Sequence, residues 1–280
     1  SDEARRVQSE MATVFEDLFL RGKADGLPPI QALGLYYDFK ELTPIGTMGD
    51  EMVRRLADRL IAVDLLEQAA ELLQHQVDRR LDGVAKAQIS AKLAAVYLMD
   101  KRPEKALEVL RASSQTRLPD ELSAQRRLLT ARALSDIKQY DAALEAFEQD
   151  DTPEAHRLRA DVYWAASRWP ELASAIEILI DGREKDAAPL DGQDRYDILR
   201  AAIAYTMAED DHGLQSLRNR FVTMMADTPE AAAFEVVTRA ADPGGATFRD
   251  MAKSVAGIDT LDAFLRSLGL GRPADGTAAN

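Results

Sequence analysis

The feature that most constrains this chain is a recurrence every 37 residues. Ala69, Ala106 and Ala143 are separated by that interval. The same shift carries Ala57 onto Ala94 and Ala131, Leu60 onto Tyr97 and Leu134, and Leu73 onto Leu110 and Phe147. It also carries Leu56 onto Leu93, though the third member is Thr130. A fixed period of roughly 20–50 residues marks an array of supersecondary units. Leu56, Ala57 and Leu60 fall on one face of a helix, and Leu73 lies one turn beyond Ala69 on a second. Each unit therefore reads as two amphipathic helices that cross through a small residue. One such hairpin leaves its apolar face uncovered, so neighbours must stack.

Less regular copies follow. Leu158-Arg-Ala-Asp-Val-Tyr-Trp-Ala-Ala reads as a first helix and Trp169-Pro-Glu-Leu-Ala as the start of a second, aligned on Ala173. Thr152-Pro153 reads as N-cap and first helical residue. A fifth hairpin runs from Tyr196 to Phe221, with Ala202 and Tyr205 in its first helix and Leu214, Leu217 and Phe221 in its second. Pro103 and Pro170 sit in first turns of second helices. Gly83, Gly182 and Gly192 fall between hairpins.

The flanks differ. Val7, Met11, Val14, Phe15 and Leu18 make residues 2–22 an amphipathic helix, and Pro28-Pro29 opens another that Thr43-Pro44 ends near Leu42. Thr228-Pro229 starts a helix through Thr238, Asp242-Pro-Gly-Gly is a break, and short helices follow at Phe248–Val255 and Thr260–Leu268. From Gly269 onward the sequence reads as a frayed tail. The expected division is an N-terminal helical segment over 1–48, a repeat array over 49–222, a C-terminal helical cap over 223–270 and a flexible tail over 271–280. Because the chain opens on Ser1 and not on Met, it reads as a processed chain or an excised piece of a longer one.

Composition narrows the function. The net charge of −13 opposes generic binding to nucleic acid or to an anionic membrane surface. Arg54, Arg55 and Arg59 form a local basic spot, read as solvated helix charges. No cysteine is present, which excludes disulfides, thiolate metal sites and cysteine nucleophiles and is compatible with a cytoplasmic, periplasmic or cell-envelope location. No apolar run is long enough for a transmembrane helix.

The repeats resemble the tetratricopeptide family over roughly Asp50 to Phe221. The pattern of a large residue, a large–small pair, a large or aromatic residue, a later alanine and a further large residue is carried by Val53, Leu56-Ala57, Leu60, Ala69 and Leu73. It recurs as Ser90, Leu93-Ala94, Tyr97, Ala106 and Leu110, and then as Arg127, Thr130-Ala131, Leu134, Ala143 and Phe147. The spacing is longer than the family's 34 residues, and the proline that closes the second helix is not at its place. Phe39-Lys-Glu-Leu-Thr-Pro-Ile-Gly and Gly49-Asp-Glu-Met-Val-Arg-Arg-Leu-Ala-Asp-Arg-Leu resemble the C-terminal part of long bacterial, alphaproteobacterial, tetratricopeptide proteins. The resemblance implies an all-α fold, a right-handed superhelix of stacked antiparallel hairpins with flanking helices. It also implies a concave groove lined by first helices. In that register the groove-facing residues are Arg54 and Asp58, then Gln88 and Ala91, then Gln125, Leu128 and Arg132, then Leu158. The Lys/Asn pair with which some members hold a carboxylate is absent, since its positions are Arg54/Asp58, Ala91/Ala95 and Leu128/Arg132.

Signals for catalysis are lacking. There is no G-x-S-x-G, P-loop, H-E-x-x-H or G-x-G-x-x-G. His75, His156 and His212 lie far apart, and no metal or cofactor is expected. Asp150-Asp151, Asp210-Asp211 and the Asp186, Asp191, Asp194 loop read as solvated acids before helix starts, with spacing unlike a calcium loop. Trp164 and Trp169 read as turn packing. Tyr36, Tyr37 and Phe39 spread over two helix faces, so at least one ring is left outside the local core. The expectation is a non-enzymatic scaffold that binds a protein segment in its groove, or one whose groove its own terminal helix fills. The alternatives are a structural spacer or self-assembly segment without a groove ligand, and an acid–base glycan-cleaving enzyme on an α-superhelix.

Overall fold

The computed structural model describes residues 2–186, 188–239 and 245–272. Among them every regular element is helical. The helices are α1 (Asp2–Phe19), α2 (Pro29–Asp38), α3 (Thr47–Ala62), α4 (Leu66–Arg79), α5 (Gly83–Met99), α6 (Pro103–Ala112), α7 (Asp120–Asp136) and α8 (Tyr140–Glu145). They continue as α9 (Pro153–Ala165), α10 (Trp169–Ile180), α11 (Gly192–Met207), α12 (Asp211–Met225), α13 (Ala231–Thr238), α14 (Ala246–Ala256) and α15 (Leu261–Ser267). Two short 3-10 turns, Lys40–Leu42 and Arg183–Lys185, complete the elements.

Helices α3/α4, α5/α6, α9/α10 and α11/α12 pair as hairpins, and their first helices, like α7, all end in the same way. Asp64, Lys101, Lys138, Ser167 and Glu209 take φ of 64°, 56°, 64°, 55° and 57°. In every case that residue's N–H reaches the carbonyl three back, and the next N–H reaches the carbonyl five back. Lys101 N donates to Leu98 O at 3.1 Å, for example, and Arg102 N to Tyr97 O at 2.8 Å. This left-handed closure satisfies the last carbonyls of the helix and turns the chain into its partner.

The closure also fixes the repeat register where the 37-residue period fades. The carbonyls reached from five residues ahead belong to Leu60, Tyr97, Leu134, Tyr163 and Tyr205. Three residues before each of them stand Ala57, Ala94, Ala131, Ala160 and Ala202, every one fully buried. Only a methyl group occupies this point in all five hairpins. The alanine of the second helix is less constant. It is Ala69, Ala106 and Ala143 in the first three hairpins, whereas Leu172 and Leu214 take its place in the last two. Ala173, the alignment point expected for the fourth hairpin, is one residue out of register.

The residues group into two compact units whose boundaries fall inside α7 and inside α15. Unit 1 holds the described residues up to Ala133 and those from Leu265; unit 2 runs from Leu134 to Phe264. In unit 1, α1 and α2 pack on α3, and α3 to α6 pack in succession. Tyr36 joins Phe15 and Phe19 in the core with centroids about 6 Å apart, while Tyr37 and Phe39 stay exposed, as the spread of these rings requires. Arg126 is a buried tie. Its guanidinium donates to Ala87 O at 2.6 Å, Leu110 O at 2.7 Å and Ser113 Oγ at 3.0 Å, so one side chain of α7 binds the start of α5 and the end of α6. Arg55 and Arg59 are ties as well, donating to Leu20 O at 2.7 Å and Leu27 O at 2.6 Å. In unit 2, α8 to α12 pack in succession, and α13 and α14 pack on α11. Trp164 and Trp169 meet edge-on at 5.7 Å.

Some boundaries differ from the sequence reading. The second helix stops at Asp38, and Lys40–Leu42 is a 3-10 turn. Phe147 lies beyond the short α8. Thr228 does not cap α13; its Oγ1 turns back to Met225 O at 2.8 Å, and the helix begins at Ala231. Thr152 caps α9, Asp191 and Asp194 form a capping box on α11, and Asp210 caps α12. Gly269–Arg272 packs on unit 1 and is not frayed, whereas the rest of the expected tail and most of the Asp242 break lie outside the described residues.

Two stability outcomes follow. A non-glycine residue in the left-handed region costs about 1–2 kcal/mol, partly offset by the greater entropy glycine loses on folding. Ser167→Gly is therefore expected to stabilise the chain by about 0.5–1 kcal/mol in urea unfolding. Gly49 is the converse case. A Cβ there would sit 1.9 Å from Pro44 O, in the corner where Arg80 also binds Pro44 O and Asp50. Gly49→Ala is expected to cost about 1–3 kcal/mol in the same measurement.

Candidate functional site

The first helices of successive hairpins bring the polar residues together. In unit 1, α3 presents Arg54, Asp58 and Ile61; α5 presents Gln88, Ile89, Lys92 and Val96; α7 presents Gln125. These residues line one concavity of about 370 Å³, and its remaining wall is formed by Gly269, Leu270 and Gly271. Four of the eight expected groove residues, Arg54, Asp58, Gln88 and Gln125, thus share one site.

The charges inside it are paired. Lys92 Nζ donates to the Asp58 carboxylate, and Arg54 binds Glu51 one turn back on its own helix. The Lys92–Asp58 bridge joins two hairpins through the floor of the concavity. Gln125 Nε2 donates to Leu268 O at 2.8 Å, which holds the end of the chain to α7. This floor carries two cations and one carboxylate, is rich in hydrogen-bonding groups and is apolar at Ile61, Ile89 and Val96. It suits an extended backbone better than an isolated charge.

The other four expected residues lie differently. Ala91, Leu128 and Leu158 are 0%, 2% and 1% exposed, so all three are core side chains without surface to offer a partner. The family register alone did not reveal this burial. Arg132 is half-buried on α7 and does not line the concavity.

Unit 2 contains a counterpart that sequence reasoning missed. Counted back from their turn residues, Arg157 and Asp161 occupy the positions of Arg54 and Asp58, and Arg200 occupies that of Lys92. Arg200 Nη1 meets Asp161 Oδ1 at 3.0 Å, repeating the cation–carboxylate bridge between first helices. Here the bridge is buried. Arg200 is 3% exposed, its guanidinium carbon lies 5.4 Å from the Trp164 ring centre and 5.1 Å from that of Tyr196, and Asp197 stands 3.8 Å away. Gln193 donates to Asp197 Oδ2 at 3.1 Å, while Asp197 Oδ1 and Arg200 Nε have no hydrogen-bond partner. The signal was present as Asp197 and Arg200 one turn apart, but the 37-residue period had already failed at this point.

Burial pushes the Asp197 carboxyl up to about 6, against the opposing pull of Gln193, Arg200 and Arg157. A carboxyl whose folded pKa exceeds its unfolded value of about 4 takes up protons on folding. Its contribution to stability therefore falls as pH rises from about 4 through about 6. Asp197→Asn is expected to stabilise the chain by about 1 kcal/mol at pH 7, with the gain vanishing towards pH 4. Urea midpoints of variant and parent at the two pH values read this difference, and a constant gain would rule out Asp197 as the titrating group.

The histidines do not cluster. His75 and His212 are exposed on α4 and α12, and His156 Nε2 lies 2.9 Å from Asp151. Among the described residues no group of three acidic or histidine side chains is placed to hold a metal ion, and no helix is long and apolar enough to cross a membrane. Comparison with protein-family models, with curated proteins and with solved structures found no match.

Proposed function

We propose that this chain is a non-catalytic interaction module, a tetratricopeptide-like array of helical hairpins that binds an extended protein segment in the unit 1 groove. The observation that carries this reading is the shared concavity of Arg54, Asp58, Gln88, Lys92 and Gln125, with Gly269, Leu270 and Gly271 already serving as one of its walls. A surface that hydrogen-bonds one chain segment through Gln125 has donors and acceptors to bind another. Arg54, whose partner Glu51 stands on its own helix, and Gln88 are the residues through which a partner would be read, because Lys92 and Asp58 are committed to each other across two helices.

A spacer with no groove ligand is the competing reading, and the packing of Gly269–Arg272 on the groove favours it. Affinity capture from a lysate of the source organism separates the two. The double variant Arg54→Glu, Gln88→Glu changes the groove lining without touching a buried core residue and is expected to remain folded by circular dichroism. A protein retained by the parent chain and lost with this variant identifies a groove partner. Identical sets from both chains would leave the spacer reading.

A further inference from the structure

The unit 1 groove already holds a piece of this chain, and the way it is held is uneven. The helix α15 ends in the same left-handed closure as the hairpins. Gly269 has φ of 69°, its N–H reaches Arg266 O at 3.0 Å, and the Leu270 N–H reaches Leu265 O at 2.8 Å. Gln125 grips the Leu268 carbonyl at 2.8 Å. A Cβ on Gly271 would stand 2.4 Å from Arg266 Cγ and 3.0 Å from its Cα, so the path past α15 requires a glycine there too. The far end is held by Arg272 Nη2 to Asp64 Oδ1 at 2.8 Å, an ion pair whose side chains are 40% and 64% exposed. Such a pair is weak and screened by salt. The groove itself stays incompletely filled, since the concavity of about 370 Å³ lies between this segment and the helices.

We propose that Leu268–Arg272 is a displaceable resident of the groove. A partner binds by taking its place, and that partner is an extended segment that offers a backbone carbonyl to Gln125 and a cationic side chain to Asp64. The inference rests on the reading of this groove as an interaction surface. Tethering gives the resident segment a local concentration on the order of millimolar, enough to compete with weak ligands and to yield to strong ones. The sign agrees with the chain as a whole, whose net charge of −13 favours a basic partner.

The test uses the full chain and a probe made from its own sequence. Gly269→Val with Gly271→Val sets a branched side chain at a positive φ and a second one against Arg266, so the segment loses its path while the helices of the groove are unchanged. Hydrogen exchange is expected to show the Leu270 amide protected in the parent and unprotected in the variant, with the melting transition otherwise kept. A fluorescein-labelled peptide of residues 265–280 should then bind the variant at least about tenfold more tightly than the parent, because the tethered competitor is gone. Adding Gln125→Ala should weaken that binding about fivefold. Equal binding to parent and variant, or binding to neither, overturns the proposal. So does an external partner captured equally by both, an outcome that would leave the groove reading intact. Peptide exchange as expected with no partner captured by either chain would instead uphold the displaceable seat and sink the groove as a partner site.

Discussion

Everything in this fold depends on how closely two helices can approach where a hairpin crosses its neighbour. Ala57, Ala94, Ala131, Ala160 and Ala202 stand at one register position of the five hairpins, and each is fully buried. A methyl group is the side chain that leaves most room for a neighbouring backbone in a close-packed interior. The left-handed turn seven residues after each alanine fixes the direction in which the second helix returns. Small residue and turn are thus parts of one device, and the five turns tolerate Asp, Lys, Lys, Ser and Glu because the surrounding contacts hold the strained φ in place.

On that frame each unit carries one bridge between a cation and an aspartate at matching positions, and the two bridges differ in solvent. Lys92 and Asp58 sit at a surface concavity, where water and other polar groups can reach them. Arg200 and Asp161 are enclosed by Trp164 and Tyr196, with Asp197 beside them. An enclosed ion pair adds little net stability but makes any mispairing of its helices expensive, which suits a registering role. The same backbone positions thereby line an open concavity in one unit and form an enclosed ion pair in the other.

The all-α class and the first three hairpins were legible from sequence because close packing forces alanine and leucine to recur with the hairpin. Thr152 as a cap was legible because a short polar side chain before a proline-led helix has few other uses, whereas Asp191 and Asp210, read as solvated acids, are caps as well. Past Phe147 the period failed for a physical reason. The connections change length while the packing positions do not, so a fixed offset slides off register even though counting from each turn does not. Arg54, Asp58, Gln88 and Gln125 line one concavity, whereas Ala91, Leu128 and Leu158 are buried, because helix periodicity gives a direction around one helix and says nothing of what lies opposite. The packing of Gly269–Arg272 was hidden for a related reason. A Gly, Leu, Gly, Arg sequence carries no periodicity, and only its surroundings make it structured.

The division of the chain has a consequence for its synthesis. Unit 2 is one uninterrupted stretch, whereas unit 1 is assembled from the beginning of the chain and its end. On a ribosome the residues from Leu134 to Phe264 all emerge before Leu265, so the contiguous unit has every residue it needs while the other still lacks one wall. The long-range pairing of Gln125 with Leu268, 143 residues apart, is then among the last native contacts to form. During that interval the nascent groove stands open to whatever segment reaches it first.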